Sequence, residues 1–317
     1  MATKQFVIGI DGGGTKTAAS LADFHGNVLA EVVVGPSNFL LIGVEQAAET
    51  LFSVAEACCR KAGLSLEQVQ TVAAGLTGAG RPSEQQRMQE GLKKVALGKS
   101  IAFDRIIIES DARIALEGAF KGGEGIILIC GTGSIVLGKS LDGRISRAGG
   151  WGRILGDEGS GFAIGRDGLN AVTRHLDGRG KKTLLTESLR KKFNLKTQDE
   201  IITAVYRENF DIAAVAPLVL EAAEQHDAES ERILNKATFE LTEHVRAVTL
   251  MLEAATRDRA RQKLPLAFIG SVISGESVFT KILKHKITFS LPQISIVQPQ
   301  ASPSYGAVLL ALSSSTS

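Results

Sequence analysis

The stretch Ile8-Gly9-Ile10-Asp11-Gly12-Gly13-Gly14-Thr15-Lys16-Thr17 decides how this chain is read. Gln5–Asp11 is apolar and β-branched, the pattern of a buried strand, and it delivers a carboxylate to its end. Three glycines then form a tight turn whose amides no side chain shields, so backbone N–H groups can approach phosphate oxygens closely. Thr15 and Lys16 add a hydroxyl and a positive charge, and Asp11 is suited to a hydrated Mg²⁺. An ordinary hairpin also uses glycines at positive φ, but three in succession, framed by Asp and Thr, exceed what a hairpin needs. Gly12, Gly13, Gly14, Thr15 and Lys16 are therefore candidates for binding phosphate, and Asp11 for binding metal.

Outward from this turn, Thr15–Ala22 and Val28–Val34 read as strands, with a second turn at Phe24–Asn27. Gly43–Ala62 has helical spacing. Val69–Ala74 reads as a strand, Ser83–Val95 as a helix, Arg105–Glu109 as a strand and Ala112–Phe120 as a short helix. The opening then repeats. Gly125–Cys130 is a buried strand, Gly131–Gly133 a turn, Ser134–Lys139 a strand, and Ile145–Ala148 a short extended piece after a turn at Leu141–Arg144. Such a repeat predicts two similarly built lobes. From Gly161 to Arg259 the chain reads as mostly helical. Leu266–Gly270 and Ile294–Val297 read as strands, Glu276–Lys284 and Ser304–Leu312 as helices, and Ser313–Ser317 as a frayed tail.

Composition limits the classes open to it. The chain has 317 residues, 44% hydrophobic and 22% charged, with a formal charge of +2, which gives no electrostatic case for nucleic acid. No apolar run approaches the ~18–20 residues that span a bilayer, and Phe6–Ile10 is too short for a signal-peptide core. A cytoplasmic protein is the expectation. Cys58, Cys59 and Cys130 form neither a disulfide framework nor a CxxC motif and read as small buried hydrophobes. The 34 glycines, about one in nine residues, exceed a usual share of about 7% without a matching excess of proline. Many fall in Asp11–Gly14, Gly75–Gly80, Gly118–Gly133 and Gly149–Gly161.

Four further segments carry chemistry. Ile129-Cys130-Gly131-Thr132-Gly133-Ser134 is again strand then small-residue turn, able to clasp the other side of a polyphosphate. The overlapping Gly133-Ser-Ile-Val-Leu-Gly138-Lys139-Ser140 matches the P-loop pattern literally. Its variable residues are strand-like and Leu141-Asp142-Gly143-Arg144 is a hairpin turn, so no helix opens there and the P-loop reading is rejected. Ser110-Asp111-Ala112 follows a strand and begins a helix. From the residues alone it is either a helix cap or a carboxylate placed to accept a proton from an attacking hydroxyl. Gly149-Gly-Trp-Gly-Arg-Ile-Leu-Gly-Asp-Glu-Gly-Ser-Gly161 sets Trp151 and two carboxylates among six glycines, a loop that suits a sugar ring face and its hydroxyls. Leu266–Gly275 is strand, Gly-Ser turn, then helix: a common α/β joint, and a place where a flat base can lie against backbone.

These pieces, in this order, resemble the acetate and sugar kinase/Hsp70/actin superfamily, and within it the N-acetylglucosamine kinase-like members of the BadF/BadG/BcrA/BcrD ATPase family. The resemblance implies an α/β fold of two ribonuclease H-like (actin-like ATPase) lobes with an interlobe cleft. The lobes would be residues 1–118, with a helix at 303–317 packing back on them, and 119–302. Ser302-Pro303-Ser304-Tyr305-Gly306-Ala307 resembles the P-x-x-GA helix of this branch. It further implies ATP and Mg²⁺ as cofactors, a sugar as substrate and a homodimer. Thr15 and Thr132 would face ATP phosphates, with Gly131 and Gly133 in the second phosphate motif and Gly270, Ser271 and Ser274 in the adenosine motif. Asn38 (in Pro36-Ser37-Asn38), Ser134, Gly150, Trp151, Gly152 and Asp157 would contact the sugar. Asp111 would be the catalytic base, taking a proton from a hydroxyl, the 6-OH, as it attacks the γ-phosphate.

Two positions depart from the family pattern. Ile135 stands where mammalian-type enzymes carry a sugar-contacting Asn, and His226-Asp227 where a Gly-Asp pair is typical near the adenine. Competing readings are a dehydratase-activating ATPase, whose cluster-ligating cysteines are missing here, and a non-catalytic sugar sensor, against which Asp11, Asp111 and both glycine loops argue. N-acetylglucosamine, glucosamine, N-acetylmuramic acid and glucose all stay open as the sugar.

Overall fold

The computed structural model describes residues 4–255 and 263–315. Its elements run β1 (Phe6–Gly12), β2 (Thr17–Asp23), β3 (Val28–Val34), α1 (Phe39–Ile42), α2 (Val44–Lys61), β4 (Val69–Leu76), α3 (Pro82–Gly98), β5 (Arg105–Ser110) and α4 (Asp111–Ala119). There follow β6 (Gly125–Cys130), β7 (Ser134–Lys139), β8 (Ile145–Gly149), α5 (Gly161–Leu176), α6 (Leu185–Phe193), α7 (Gln198–Arg207), α8 (Ala216–Glu224) and α9 (Ala228–Ala255). β9 (Leu264–Ile269), α10 (Val278–Ser290), β10 (Ile294–Val297) and α11 (Pro303–Ser315) close the described chain. Two compact units divide it: Met1–Gly123 with Gln298–Ser317, and Glu124–Val297.

In the first unit a five-stranded sheet has the order β3-β2-β1-β4-β5. β1, β2 and β3 form antiparallel hairpins, while β4 and β5 add in parallel. The hairpin turn at Asp23–Asn27 is closed by the Asp23 carboxylate, which accepts from the amides of His25 and Asn27 at 2.9 Å each. Ile8, Ile10, Leu21, Leu51, Leu76, Met88 and Leu92 are wholly or almost wholly buried between this sheet and helices α2 and α3. The opposite face is covered by α11, whose Ala307, Val308 and Ala311 are fully buried with Val7 and Ile114.

α11 comes in at backbone distance, and that decides where glycine must stand. A Cβ on Gly9 would lie 2.2 Å from the Ser304 carbonyl oxygen, and one on Gly306 would lie 1.9 Å from that of Ile114. The buried hydroxyls of Ser20 and Ser304 meet at 2.9 Å beside this contact.

The second unit repeats the plan: order β10-β9-β6-β7-β8, with β6, β7 and β8 antiparallel and β9 and β10 added in parallel. Both sheets are thus α/β layers of the ribonuclease H-like kind. The remaining core of this unit is built by the helical run α5–α9 packed on the sheet, with Val219, Leu234, Leu241, Val245 and Val248 buried. Ser160 caps α5, and a reciprocal Thr197–Glu200 capping box starts α7.

Strand expectations agree with the structure to within a residue or two, and the repeated hairpin unit is present twice. Three helices differ in their limits. Expected to end at Val95, α3 runs on to Gly98, with Ala96 buried in its last turn. Expected at Glu276–Lys284, α10 starts at Val278 because Ser277 caps it, and buried Ile287 carries it on to Ser290. The tail expected to fray at Ser313 is helical to Ser315: Ser313 and Ser314 hydroxyls donate to the Leu310 and Ala311 carbonyls, and Arg105 Nη1 donates to the Ser314 carbonyl at 2.7 Å. Thr316, Ser317 and the 256–259 part of the expected helical run lie outside the described residues.

Candidate functional site

In the first unit, parallel register sets the site. Asp11 pairs with Gly75 across β1 and β4, and Leu76 pairs with Ser110 across β4 and β5. The residues that follow these strands, Thr77 and Asp111, therefore emerge beside Asp11 at the carboxyl edge of one sheet, where α/β folds place ligands.

Ser110 is the helix cap: its hydroxyl accepts from the Arg113 amide at 3.1 Å. That leaves Asp111, the first residue of α4, free of the capping duty. Its Oδ1 accepts from the Ala112 amide and its Oδ2 from the Thr77 hydroxyl, both at 2.8 Å. The Asp11 carboxyl is pushed up to about 6 by burial and by the charge of Asp111, against an opposing pull from Lys16.

The glycine turn is closed by the Gly13 amide donating to Lys16 O, while Gly13 O receives Ser37 N and Gly12 O receives Thr77 N, each at 3.0 Å. Gly12 has no room for a side chain, since a Cβ would lie 2.5 Å from both Ser37 Oγ and Leu76 Cδ2. Gly14, Thr15 and Lys16 are exposed. Asn38 caps the four-residue α1, its Oδ1 accepting from the Leu40 amide at 3.1 Å, so its Nδ2 is the free end.

The second unit gathers its own set. The Gly131 amide donates to Gly133 O at 2.9 Å, closing the turn. Gly131 O then receives Gly161 N at 2.8 Å and Thr132 O receives Phe162 N at 3.1 Å, tying this turn to the start of α5. Beside it runs the β9 joint. Gly270 has φ +110, and a Cβ there would lie 2.3 Å from the Cys130 carbonyl oxygen, so only glycine fits. Ser274 N donates to Gly270 O at 2.9 Å, and the exposed Ser271 Oγ lies 4.0 Å from where a Gly131 Cβ would be.

The loop between β8 and α5 folds back on the same turn. Asp157 is held at φ +57, a strained conformation for a residue with a side chain, and its Oδ1 accepts from Ser134 N at 3.4 Å. Ser134 Oγ donates to Glu158 O at 2.7 Å, so that hydroxyl is spent within the loop. Gly150 N donates to Ser134 O at 3.0 Å. Trp151 is 66% exposed, which excludes a core role for it. Gly152, at φ +81 with open space around it, forms the tip of the turn.

The two departures take on structural roles. Ile135 packs under Gly150, where an added Cβ would lie 2.6 Å from Ile135 Cδ1. His226 sits at φ +60, a conformation that suits glycine. Asp227 is buried and receives Thr183 Oγ1, Leu184 N and Ser230 N, binding α6 to the start of α9. All three cysteines are buried and free; burial pushes the Cys58 thiol up to about 11 and those of Cys59 and Cys130 to about 12.

Sequence reading passes over Thr77, Ser37 and His244. Thr77 could have been found from its place just past β4, next to the end of β5. His244 had no local signal: it lies on α9, donates Nδ1–H to the Glu240 carbonyl at 2.8 Å and places Nε2 3.6 Å from Glu158.

The chain belongs to the BadF/BadG/BcrA/BcrD ATPase family, whose model matches residues 8–311. It is 34% identical to the N-acetylmuramic acid/N-acetylglucosamine kinase of Clostridium acetobutylicum over 98% of this chain and 99% of that one. It is 32% identical to the N-acetyl-D-glucosamine kinase of Dictyostelium discoideum over the same shares. Among solved structures, a candidate N-acetylglucosamine kinase from Chromobacterium violaceum superposes with a TM-score of 0.73 at 28% identity, covering 97% of this chain and 99% of that one.

Proposed function

We propose that this protein transfers the γ-phosphoryl group of ATP to a hydroxyl of an amino sugar, the 6-OH of N-acetylglucosamine or a close relative. One observation carries the reading: Asp111 stands at the carboxyl edge of the first sheet, its carboxylate fixed by the Thr77 hydroxyl and the Ala112 amide. A carboxylate held in this way accepts the sugar O–H proton as the sugar oxygen forms its bond to Pγ and the bond from Pγ to the β-phosphate oxygen breaks, releasing ADP. The relatives' names support the sugar class.

In the first unit Gly12–Lys16 offers backbone amides and the Lys16 ammonium to phosphate oxygens; in the second, Gly131–Gly133 offers backbone amides of the same kind. Gly270, Ser271 and Ser274 take the adenosine. Asn38 Nδ2, Gly150, Trp151, Gly152 and Asp157 contact the sugar, while Ser134 acts by shaping the loop. Asp11 fits a divalent cation: it is a half-buried carboxyl raised by burial and by Asp111, a pair whose repulsion a cation relieves. No group of three or more His, Cys, Asp or Glu able to hold a metal occurs among the described residues. A donor set this small suits Mg²⁺, which keeps waters and phosphate oxygens as ligands. When bound, the ion would neutralise charge on the β- and γ-phosphates.

A homodimer working in the cytoplasm goes with this reading; sedimentation tests the first. Among the described residues no helix is long and apolar enough to cross a membrane. The function is tested by ADP release with ATP, Mg²⁺ and, in turn, N-acetylglucosamine, glucosamine, N-acetylmuramic acid and glucose. Sugar-dependent ADP release, with the product phosphorylated at C6 by ³¹P–¹H NMR, is expected. ADP release that no sugar stimulates would overturn it.

A further inference from the structure

A pocket of about 490 Å³ in the second unit takes no part in the chemistry above. One wall is the end of α5 and the turn after it, which carry Asn170, Arg174, Arg179 and Lys181. The other is the start of α9, which carries Glu229 and Arg232. The turn is set by its glycines. Gly178, at φ +73, reverses the chain, and the amides of Arg179 and Gly180 both donate to the Arg174 carbonyl, at 3.0 and 2.8 Å. Gly180 lies so close to Arg174 that a Cβ there would stand 2.8 Å from Arg174 Cβ. Four cations thus face one lining carboxylate. Arg179 is paired with Asp177 and Arg232 with Glu229, each at 2.9 Å, whereas among the described residues Arg174 and Lys181 have no carboxylate within ion-pair distance.

We propose that this pocket binds a dianionic phosphoryl group, as inorganic phosphate or as a phosphomonoester, at a site separate from the phosphate turn of the same unit. Two unpaired cations match the charge of a dianion, and a guanidinium fork matches its oxygens. Cations also gather at helix C-termini to offset the macrodipole, but that end carries only about half a charge. Its carbonyls are already occupied: Thr173 O receives Asp177 N and His175 O receives Gly178 N, both at 3.0 Å. The charge of Arg174 and Lys181 is left over for a ligand. Among the described residues no aromatic ring lines the pocket, so it suits a charged group rather than a base. Its volume falls in the range of small-molecule sites, ~300–1,000 Å³, which leaves room for an organic ester beside the phosphate, with the Asn170 amide to meet its hydroxyls. The pocket is also remote from the turn. Gly161 N is bonded to Gly131 O, and Arg174 stands roughly 20 Å further along α5 at about 1.5 Å per residue.

The test is calorimetric titration of the full chain with inorganic phosphate and with glycerol 3-phosphate, in chloride buffer, with acetate as the monoanion control. Wild type is compared with Arg174→Gln/Lys181→Gln, with the charge-keeping Arg174→Lys/Lys181→Arg, and with Lys16→Ala. Arg174 and Lys181 are exposed, so both double variants leave the core untouched. Loss of two charge-assisted contacts weakens binding about 10- to 100-fold in the glutamine variant, while the charge-keeping variant stays within a few-fold of wild type. Lys16→Ala, which alters only the glycine turn of the first unit, keeps this binding event. Tighter binding of glycerol 3-phosphate identifies an ester as the ligand, and equal or tighter binding of inorganic phosphate a bare ion; either supports the pocket. No binding by wild type, equal binding by the glutamine variant, or acetate bound as tightly as phosphate would overturn the proposal. None of these results bears on the kinase reading, which fails only if no sugar stimulates ADP release.

Discussion

The Thr77 hydroxyl donates to Asp111 Oδ2 across 2.8 Å, from the residue after one parallel strand to the residue after the next. In the proposed reaction Asp111 must present one oxygen to the sugar hydroxyl, and Thr77 fixes the plane in which it does so. Removing that donor leaves the carboxylate in place but free to turn. Thr77→Val should lower kcat about tenfold with little change in sugar KM, and Thr77→Ser should restore it. Steady-state kinetics on the three proteins checks this, and a Thr77→Val change confined to KM would contradict it.

Asp11 makes the metal-free protein pay for its site. Folding raises this carboxyl from 3.8 to about 6, so the folded chain binds the proton more tightly than the unfolded chain. A group shifted in that direction contributes its stability below pH 3.8 and loses it as pH climbs through about 6. The loss is capped near roughly 3 kcal/mol. Asp11→Asn removes the charge, so its Tm in EDTA should match wild type near pH 4 and exceed it by several degrees at pH 7.5. Activity should be lost in the same variant. A Tm difference that stays flat across that range would contradict the account.

Gly306 lets α11 touch α4 at backbone distance, and alanine there would put Cβ 1.9 Å from Ile114 O and 2.5 Å from Gly118 N. Since both obstacles are backbone, Gly306→Ala should cost about 3 kcal/mol or more. Gly98, at the end of α3 with nothing within 4 Å of an added Cβ, is the control: Gly98→Ala should be neutral or slightly stabilising. Chemical denaturation of both variants decides the matter, and equal stabilities would contradict the packing described here.

Much of this fold is legible in local sequence because its strands are short apolar runs closed by glycine turns. Ile8–Thr17 and Ile129–Ser134 each announce strand, turn, strand, and each does so in the structure. What is hidden is what depends on register. Nothing near Thr77 says that it meets Asp111, because that contact exists only once β4 lies parallel between β1 and β5. The split of duty between Ser110 and Asp111 is hidden too, since either residue can cap a helix and only the Arg113 amide shows which one does. His244 and Glu158 lie far apart in sequence on elements that packing alone brings together. Helix ends are hidden where a serine decides them, at Ser277 and Ser313, because a hydroxyl's partner is a backbone atom that composition does not reveal.

The central claim is that Asp111 takes the proton from the sugar hydroxyl, and Asp111→Asn tests it most directly. The amide keeps the shape of the side chain and an oxygen for the Thr77 hydroxyl but cannot serve as a base at neutral pH. Sugar affinity, by calorimetry, and ATP-dependent turnover should be measured on the same preparation. The account predicts affinity within a few-fold of wild type and turnover reduced by at least about 10²-fold. An unchanged kcat in Asp111→Asn would contradict it.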